Sequence, residues 1–329
     1  MEKFKIISDD PFQILESTRW VLENARFVSV KEENVSSLIE IIRGRFPQGP
    51  DKETMGFKSS GSVDNDVQRY FVEDTVNFSF WAGKDEKRWE VEWPAGNIVK
   101  GGWFGFTACF DRAIASGVPI LDADYLETLS REQGEHFFRS VDGVKIPLLE
   151  ERVRNLNEAG EILKKRFRGQ FRNAVEEADF DAVELVRLIL EVFPSFRDVS
   201  VLEGREVFFL KRAQLCPNDL NYILEKAGKP IKNLSALTVF ADYKIPQILR
   251  AHRIIEYAPP LAERVDNYIE LPKDSREEIE IRSATIWGAE LLRQAIPELS
   301  GRQIDNAVWL LSQNQEGLKP YHRTRTIFY

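Results

Sequence analysis

Cysteine and histidine are scarce in this chain of 329 residues, which contains two cysteines and three histidines. Cys109 and Cys216 are too few for a disulfide framework or a cysteine-rich zinc site. The histidines, His136, His252 and His322, are spread far apart in sequence, which is more typical of surface or capping residues than of metal ligands. We therefore expect a protein of the reducing cytoplasm that needs no metal and no other cofactor.

Positive charge and long apolar runs are also limited. The chain has 45 lysine and arginine residues against 53 aspartate and glutamate residues, for a formal net charge of −8. This balance argues against a broad basic surface for nucleic acid, so we expect no stable nucleic-acid complex, whereas a pocket for a small anion needs only a few local cations. The apolar-rich residues 183–193 include Glu184, Arg187 and Glu191, and residues 1–12 lack the apolar core of a signal peptide. We expect no membrane span.

The motifs of several large enzyme classes are missing as well. The sequence has no G-x-x-x-x-G-K-[ST] phosphate loop, no G-x-G-x-x-G, no H-E-x-x-H, no G-x-S-x-G and no paired C-x-x-C. The glycine-rich residues 101–105 are only weak evidence for a ligand-lining loop, because turns commonly need glycine. Chemistry must therefore be sought in individual polar residues beside apolar segments.

Hydrophobic periodicity predicts a mainly α fold with a few short β-hairpins. Alternating patterns predict hairpins at residues 77–93, with a turn at 83–85, and at residues 199–210. Residues 47–65, rich in Gly, Pro, Ser and charge, predict a loop after an N-terminal helical segment. We expect a single domain over residues 1–329, in which residues 1–65 could form a subdomain. The predicted helices cover residues 106–116, 123–133, 148–175, 182–192, 212–227, 245–255, 261–265, 276–295 and 301–311.

Two charged residues stand where apolar runs meet predicted helix starts. Asp242 follows the apolar residues 237–241, so it could cap the next helix or form a half-buried carboxylate at the floor of a pocket. In a pocket, Phe240 and Tyr243 would lower the local dielectric and strengthen the field of the carboxylate on a developing cation. Lys211 could be solvated with its stem on apolar surface, or it could meet an anion or the carboxylate of Asp242.

The segment 319–329 is locally basic in an acidic protein. If it is extended, Arg323 and Arg325 share a face and could clamp a phosphate, although two solvated arginines fit the pattern equally well.

Two other groups have both a structural and a ligand-binding interpretation. Phe78 and Trp81 could belong to the core or form a stacking wall for a flat heterocycle, and Asn77 offers a donor and an acceptor to a base edge or a ribose. Asp305 and Asn306 could cap a helix or bind the amide and exocyclic amine of a guanine-like edge.

Together these segments resemble the queuosine salvage protein family, the queuosine 5′-phosphate N-glycosylase/hydrolases. The matching stretches follow in the same order over more than three quarters of the chain. Residues 47–64 depart from the family pattern, which more often has a Trp/His-containing segment that reaches the ligand, so the resemblance carries no base contact over to this loop. The stretches are NFSFW (77–81), IASGVPILDADYLETLSREQ (114–133), VKIPLLEERVRNLNEAGEIL (144–163), FPSFRDVSVLEGREVFFLKRAQL (193–215), LTVFADYKIPQIL (237–249), REEIEIRSATIWGAELLR (276–293) and PYHRTRTIFY (320–329).

The resemblance implies a helical fold distantly similar to helical DNA glycosylases. It implies an enzyme that releases the 7-deazaguanine base queuine from queuosine 5′-monophosphate for reuse in tRNA modification. It also implies that Asp242 is the catalytic carboxylate and that Phe240, Ala241, Asp305 and Asn306 contact the base.

Cleavage of a ribosyl C1′–N bond passes through an oxocarbenium-like state, which a carboxylate near C1′ stabilises. A 7-deaza base has carbon at position 7, so hydrogen bonds from Asp305 and Asn306 to its other edge atoms would assist departure. Asp242 could act as electrostatic stabiliser, base or nucleophile, with Lys211 as a second catalytic group. A non-catalytic queuine- or nucleotide-binding protein is the alternative, and a nucleic-acid glycosylase is disfavoured by the net charge.

Overall fold

Helices account for 53% of the chain and strands for 7%, in a computed structural model that describes residues 4–329 and leaves out the side chain of Asn314. Residues 1–3 of the predicted domain, and of the segment compared with a signal peptide, lie outside the described residues. The helices are α1 (Ile14–Glu23), α2 (Ser36–Arg45), α3 (Val63–Thr75), α4 (Trp103–Ala115), α5 (Ala123–Glu127), α6 (Arg131–Phe137), α7 (Leu149–Phe167), α8 (Arg172–Glu177), α9 (Ala182–Val192), α10 (Lys211–Lys226), α11 (Ile245–Ala251), α12 (Pro259–Asp266), α13 (Arg276–Ala295) and α14 (Gly301–Asn314). The strands are β1 (Val28–Val30), β2 (Glu90–Glu92), β3 (Ile98–Lys100), β4 (Val199–Leu202), β5 (Arg205–Phe208) and β6 (Ile255–Tyr257).

Three antiparallel two-stranded sheets connect the helices. Two are hairpins, β2–β3 and β4–β5, whereas the third pairs β1 with β6 from the other end of the chain. On the same side α1 packs against α13, where the indole Nε1 of Trp287 donates a hydrogen bond to Thr18 Oγ1 at 3.1 Å. The N-terminal helical segment is thus joined to the C-terminal half by backbone pairing and by core packing.

Most of the helix predictions are confirmed, and their errors lie at interruptions. Residues 182–192 and 276–295 are helical as predicted, with Asp181 and Ser275 as N-caps. The predicted helix 123–133 is divided into α5 and α6 by a capping box at Ser130. The predicted helix 148–175 ends early because Arg168 adopts a left-handed backbone conformation (φ 51°).

The hairpin predicted at residues 77–93 is wrong in its first strand and its turn, since β2 pairs with β3 and residues 77–81 form no strand. The guanidinium of Arg152 instead donates hydrogen bonds to the carbonyls of Val76 and Phe78 and lies against the Phe78 ring, 4.3 Å from its centroid. The backbone amide of Ser79 donates to the carbonyl of Tyr329 at 2.9 Å. Backbone groups that a sheet would pair are therefore satisfied by a buried arginine and by the C-terminal segment.

The predicted loop 47–65 is also more structured than its composition indicates. It contains a 3₁₀ helix, Lys52–Met55, and α3 begins at Val63 with Ser62 as its N-cap. Met55 and Phe57 are buried, so this segment packs against the body of the protein.

Within the described residues, no helix combines the length and the apolar character that crossing a membrane requires.

We predict that Gly160→Ala lowers the free energy of unfolding by about 1–3 kcal/mol, as overpacking does in other cores. A Cβ atom at Gly160 would lie 2.2 Å from the backbone nitrogen of Glu127 and 2.7 Å from the carbonyl oxygen of Ala123. These are backbone atoms of α5, which cannot rotate away. Urea unfolding at equilibrium measures the difference.

Gly44→Ala is the matched control, because Gly44 also lies in a helix but has no atom within 4 Å of its Cβ position. We expect a gain of about 0.5–1 kcal/mol from helix propensity alone. Equal stabilities of the two variants would contradict the close approach of α5 and α7.

Candidate active site

A cavity with an empty volume of about 770 Å³ lies where residues 77–80 and 240–244 meet helices α4, α10 and α14. Its walls are largely aromatic and aliphatic, and its polar groups come from separate segments. Residues predicted for the site that line the cavity are Asn77, Phe78, Lys211, Phe240, Asp242, Asp305 and Asn306.

The side chain of Asp242 both caps a helix and lines a pocket, the two alternatives that the sequence left open. Its Oδ1 atom accepts hydrogen bonds from the backbone amides of Lys244 (2.6 Å) and Ile245 (3.0 Å) at the start of α11. Its Oδ2 atom has no hydrogen-bond partner among residues 4–329, and the side chain lines the cavity. The helix start therefore fixes one oxygen and leaves the other available to a ligand.

The backbone that presents this carboxylate is held from two sides. The amide of Phe240 donates to Asp305 Oδ1 at 2.8 Å, and the carbonyl of Ala241 accepts a hydrogen bond from Arg282 Nε at 3.2 Å. Ala241 therefore contributes a backbone contact behind the cavity. Because the flanking groups are buried, the position of Asp242 is fixed before a ligand arrives.

Arg282 connects this segment to α10. Its Nη1 and Nη2 atoms form a bidentate ion pair with Asp198 at 2.8 and 2.6 Å, and both side chains are almost wholly buried. Asp198 Oδ2 also accepts from the backbone amide of Lys211 at 3.1 Å. The guanidinium lies between the rings of Phe209 and Tyr329, 3.9 and 4.2 Å from their centroids.

Lys211 does not contact Asp242 directly, since none of the described ion pairs within 4.0 Å joins them. The ammonium Nζ donates instead to the carbonyl of Asn77 at 3.2 Å. Burial lowers the pKa of Lys211, and the carboxylates of Asp242 and Asp74 oppose that change. Lys211 thus acts on Asp242 through its field inside the cavity.

Two of the three carboxyl groups that line the cavity, those of Asp242 and Asp305, have different environments. Burial raises the pKa of both Asp242 and Asp305. The charge of Lys211 and two backbone amides counteract burial at Asp242, whereas the charge of Asp242 adds to burial at Asp305 and raises its pKa well above the ordinary value. The arrangement favours an ionised Asp242 beside a protonated Asp305.

Three amide side chains belong to the polar lining, those of Asn77, Asn306 and Gln313. Among the described residues, the side chains of Asn77 and Asn306 have no hydrogen-bond partner, although both residues are buried. Because buried amide groups are normally paired, these two are suited to a bound heterocycle or sugar.

Sequence reasoning missed several residues of the cavity. Trp103 belongs to the glycine-rich residues 101–105, which are only weak evidence for a ligand-lining loop. Lys244 lies two residues after Asp242. Lys52 and Phe57 come from the divergent loop, where no sequence signal indicated a part in the site. Only the three-dimensional packing brings that loop to the cavity.

Four predicted residues are outside the cavity lining, namely Ala241, Trp81, Arg323 and Arg325. Trp81 packs against Tyr243 and Tyr329, which line the cavity. Arg323 donates to the carbonyls of Ala82 and Tyr321. Arg325 forms an exposed ion pair with Glu270. Direct ligand contacts of Trp81, Arg323 and Arg325 stay predictions.

Comparison with known proteins shows which family this chain resembles. Residues 58–329 match the family model described as "Queuosine salvage protein". A Sphaerobacter thermophilus protein named queuosine 5′-phosphate N-glycosylase/hydrolase is 39% identical, covering 97% of this chain and 98% of its own length. Proteins of the same name from Bos taurus and Mus musculus are each 34% identical, covering 95% and 97% of this chain and 98% and 99% of their own lengths.

We predict that Arg282→Met lowers the free energy of unfolding by about 3–5 kcal/mol, because the substitution leaves the carboxylate of Asp198 buried without its partner. Guanidinium chloride unfolding at equilibrium measures this loss.

Arg325→Met removes an ion pair whose side chains are 44% and 42% exposed, and is expected to cost less than about 1 kcal/mol. Similar losses of unfolding free energy in the two variants would show that the pair of Arg282 and Asp198 does not contribute more to stability than an exposed ion pair.

Proposed function

This chain belongs to the queuosine salvage protein family, and on that premise we propose that it is an N-glycosidase that hydrolyses queuosine 5′-phosphate to queuine and ribose 5-phosphate. The proposed role is salvage of queuine for tRNA modification. The observation that carries the proposal is the carboxylate of Asp242, which has one oxygen fixed by backbone amides and the other available in a largely apolar cavity.

In the proposed reaction, the bond between C1′ and the base nitrogen breaks and its electron pair leaves with the base. A bond forms between C1′ and the oxygen of a water molecule, and a proton from that water ends on the base. Asp242 stabilises the positive charge that develops on the ribose. A carboxylate in solution would stabilise that charge less well, because it is not held in position. Its second oxygen is also placed to take the proton of the water or to attack C1′.

The departing base needs hydrogen bonds because carbon occupies position 7. A protonated Asp305 can donate to an edge atom of the base, and its other oxygen remains bonded to the amide of Phe240. The amides of Asn306 and Asn77 add donors and acceptors. Phe78 and Phe240 supply apolar surface against which the flat ring can stack.

We assign the phosphate to the end of the cavity lined by Lys244. Among the described residues its Nζ atom has no ion pair, and it lies 5.1 Å from the centroid of the Tyr321 ring. Burial lowers the pKa of Lys244, the charge of Asp242 opposes that change, and the charges of Arg88 and Arg323 add to it. A phosphate placed there would neutralise this local excess of positive charge.

Two further expectations are kept as proposals. We propose that the helical fold is distantly similar to that of helical DNA glycosylases. We also propose a cytoplasmic location, which is supported by two cysteines that are both buried and free.

We predict that Asp242→Asn lowers kcat/KM for queuosine 5′-phosphate by about 10³-fold or more. Asparagine keeps an oxygen that can cap α11 but loses the charge, so thermal stability should stay close to that of the native protein. Release of free queuine, followed by chromatography, measures the reaction. Tight binding without turnover in the native protein would favour the non-catalytic alternative, and full activity of Asp242→Asn would remove this residue from the mechanism.

The pH profile of kcat/KM follows from the charge states of titratable groups in the cavity. Activity requires an ionised Asp242, so it is lost as the pH falls through a pKa raised above 3.8. It also requires a protonated Lys211, so it is lost as the pH rises through a pKa lowered below 10.5. Deprotonation of Asp305 also contributes to the alkaline limb of kcat/KM, so Lys211→Met should change that limb while the acid limb persists. An unchanged alkaline limb would assign it to Asp305 or to another group.

We predict that Lys244→Met reduces the preference for queuosine 5′-phosphate over queuosine by about 10- to 100-fold, the worth of a charge-assisted hydrogen bond. The measurement is kcat/KM for both substrates. Lys319→Met, which removes an exposed ion pair with Asp266, is the control. Equal preferences in both variants would place the phosphate elsewhere.

A further inference from the structure

The deepest part of the cavity has little access to solvent. Phe240, Asn306 and Asp305 are 2%, 3% and 6% exposed, although all three line it. Movement of part of the wall would widen the path of a nucleotide to these residues. A mobile part of the wall needs a backbone able to bend at both ends and contacts that can be broken and remade.

Residues 49–56, here called the flap, have these properties. The 3₁₀ helix Lys52–Met55 lies between Gly49 (φ 84°) and Gly56 (φ 91°), in backbone conformations that favour glycine. Lys52 and Met55 face the cavity. The flap therefore forms part of the wall between two glycine hinges.

The chain beyond the flap is fixed. Tyr70 Oη accepts from the backbone amide of Lys58 at 2.7 Å and donates to its carbonyl at 2.5 Å. The carboxylate of Asp66 accepts from Ser59 Oγ and from the amide of Ser60. Movement is thus confined to the flap itself.

Two buried contacts hold the flap down, which are the packing of Met55 in the core and one ion pair. Lys52 Nζ forms an ion pair with Asp219 Oδ1 at 2.7 Å, and the two side chains are 11% and 3% exposed. Glu53 contacts Tyr222 and Lys226 only at the surface, where such pairs contribute little. The indole of Trp103 donates to the carbonyl of Met55 at 2.7 Å and adds one neutral hydrogen bond.

We infer that the flap opens to admit substrate and that Lys52, through Asp219, is the positioning residue that holds it closed during the reaction. The inference rests on the proposed function only for the identity of the substrate. Asp219 lines the cavity beneath the flap, so opening exposes a carboxylate and closing buries an ion pair over the bound ligand. Closure would exclude water other than the attacking molecule and strengthen the field of Asp242.

Hydrogen exchange of the unliganded protein tests the latch without any reliance on activity. In Lys52→Met, the amides of residues 51–56 are expected to exchange about tenfold faster or more than in the native protein. Lys52→Arg should restore slow exchange. Lys58→Met, which removes the ion pair with Asp111 beyond the flap, should leave the flap unchanged. Native exchange of the flap in Lys52→Met would overturn the inference.

A second variant separates the latch from general destabilisation. Lys52→Met leaves Asp219 buried and unpaired, which could loosen α10, whereas the double variant Lys52→Met/Asp219→Asn removes that charge. In the double variant we expect fast exchange in the flap and native protection in α10. Native protection of the flap in this variant would also overturn the inference.

Steady-state kinetics test whether substrate uses the flap. For queuosine 5′-phosphate, Lys52→Met is expected to lower kcat/KM by about tenfold, with Lys52→Arg and Lys58→Met near the native value. A native kcat/KM in Lys52→Met would contradict the role in the reaction. If the native protein does not turn over this substrate, the proposed function fails while the exchange experiment still decides the latch.

Discussion

The ion pair between Arg282 and Asp198 is the interaction on which the geometry of the cavity depends. It joins α13 to the segment that precedes β4, and its two members also bind the backbone at Ala241 and at Lys211. Two of the groups assigned to catalysis therefore take their positions from one buried pair. Such a pair is weak evidence for stability, because desolvation offsets much of its attraction, but it is well suited to fixing geometry. The rings of Phe209 and Tyr329 on either side limit the guanidinium to one plane.

The cavity uses few groups, and its carboxyl groups differ in the charge state that their surroundings favour. The charge of Lys211 and two backbone amides support the ionised form of Asp242, whereas Asp305 has one backbone amide and its ionisation is opposed by the charge of Asp242. In the proposed reaction the two carboxyl groups can then have opposite roles. Asp242 is the anion that faces the sugar, and Asp305 is the hydrogen-bond donor that faces the base. This economy explains how a chain without the common hydrolase motifs can support glycosidic cleavage.

Local signals in the sequence predicted local structure well. The helices at 182–192 and 276–295 have side-chain caps and periodic apolar faces, and they were found with their bounds. Residues 77–81 alternate like a strand, but their backbone is bound by Arg152, which is distant in sequence and gave no signal. The site was predictable where the family motif is contiguous, at Phe240 and Asp242. It was not predictable in the divergent loop, because the ion pair of Lys52 with a helix far along the chain depends on the completed fold.

The pairing of β1 with β6 has a consequence for how the chain acquires its structure. Ser29 lies opposite Glu256, so more than two hundred residues separate the partners. During synthesis the first strand leaves the ribosome long before its partner exists, and its hydrogen-bonding edge stays open until the second half of the chain has emerged. Nascent chains of this protein are therefore exposed to mispairing for most of translation, and folding can be completed only after β6 has been released.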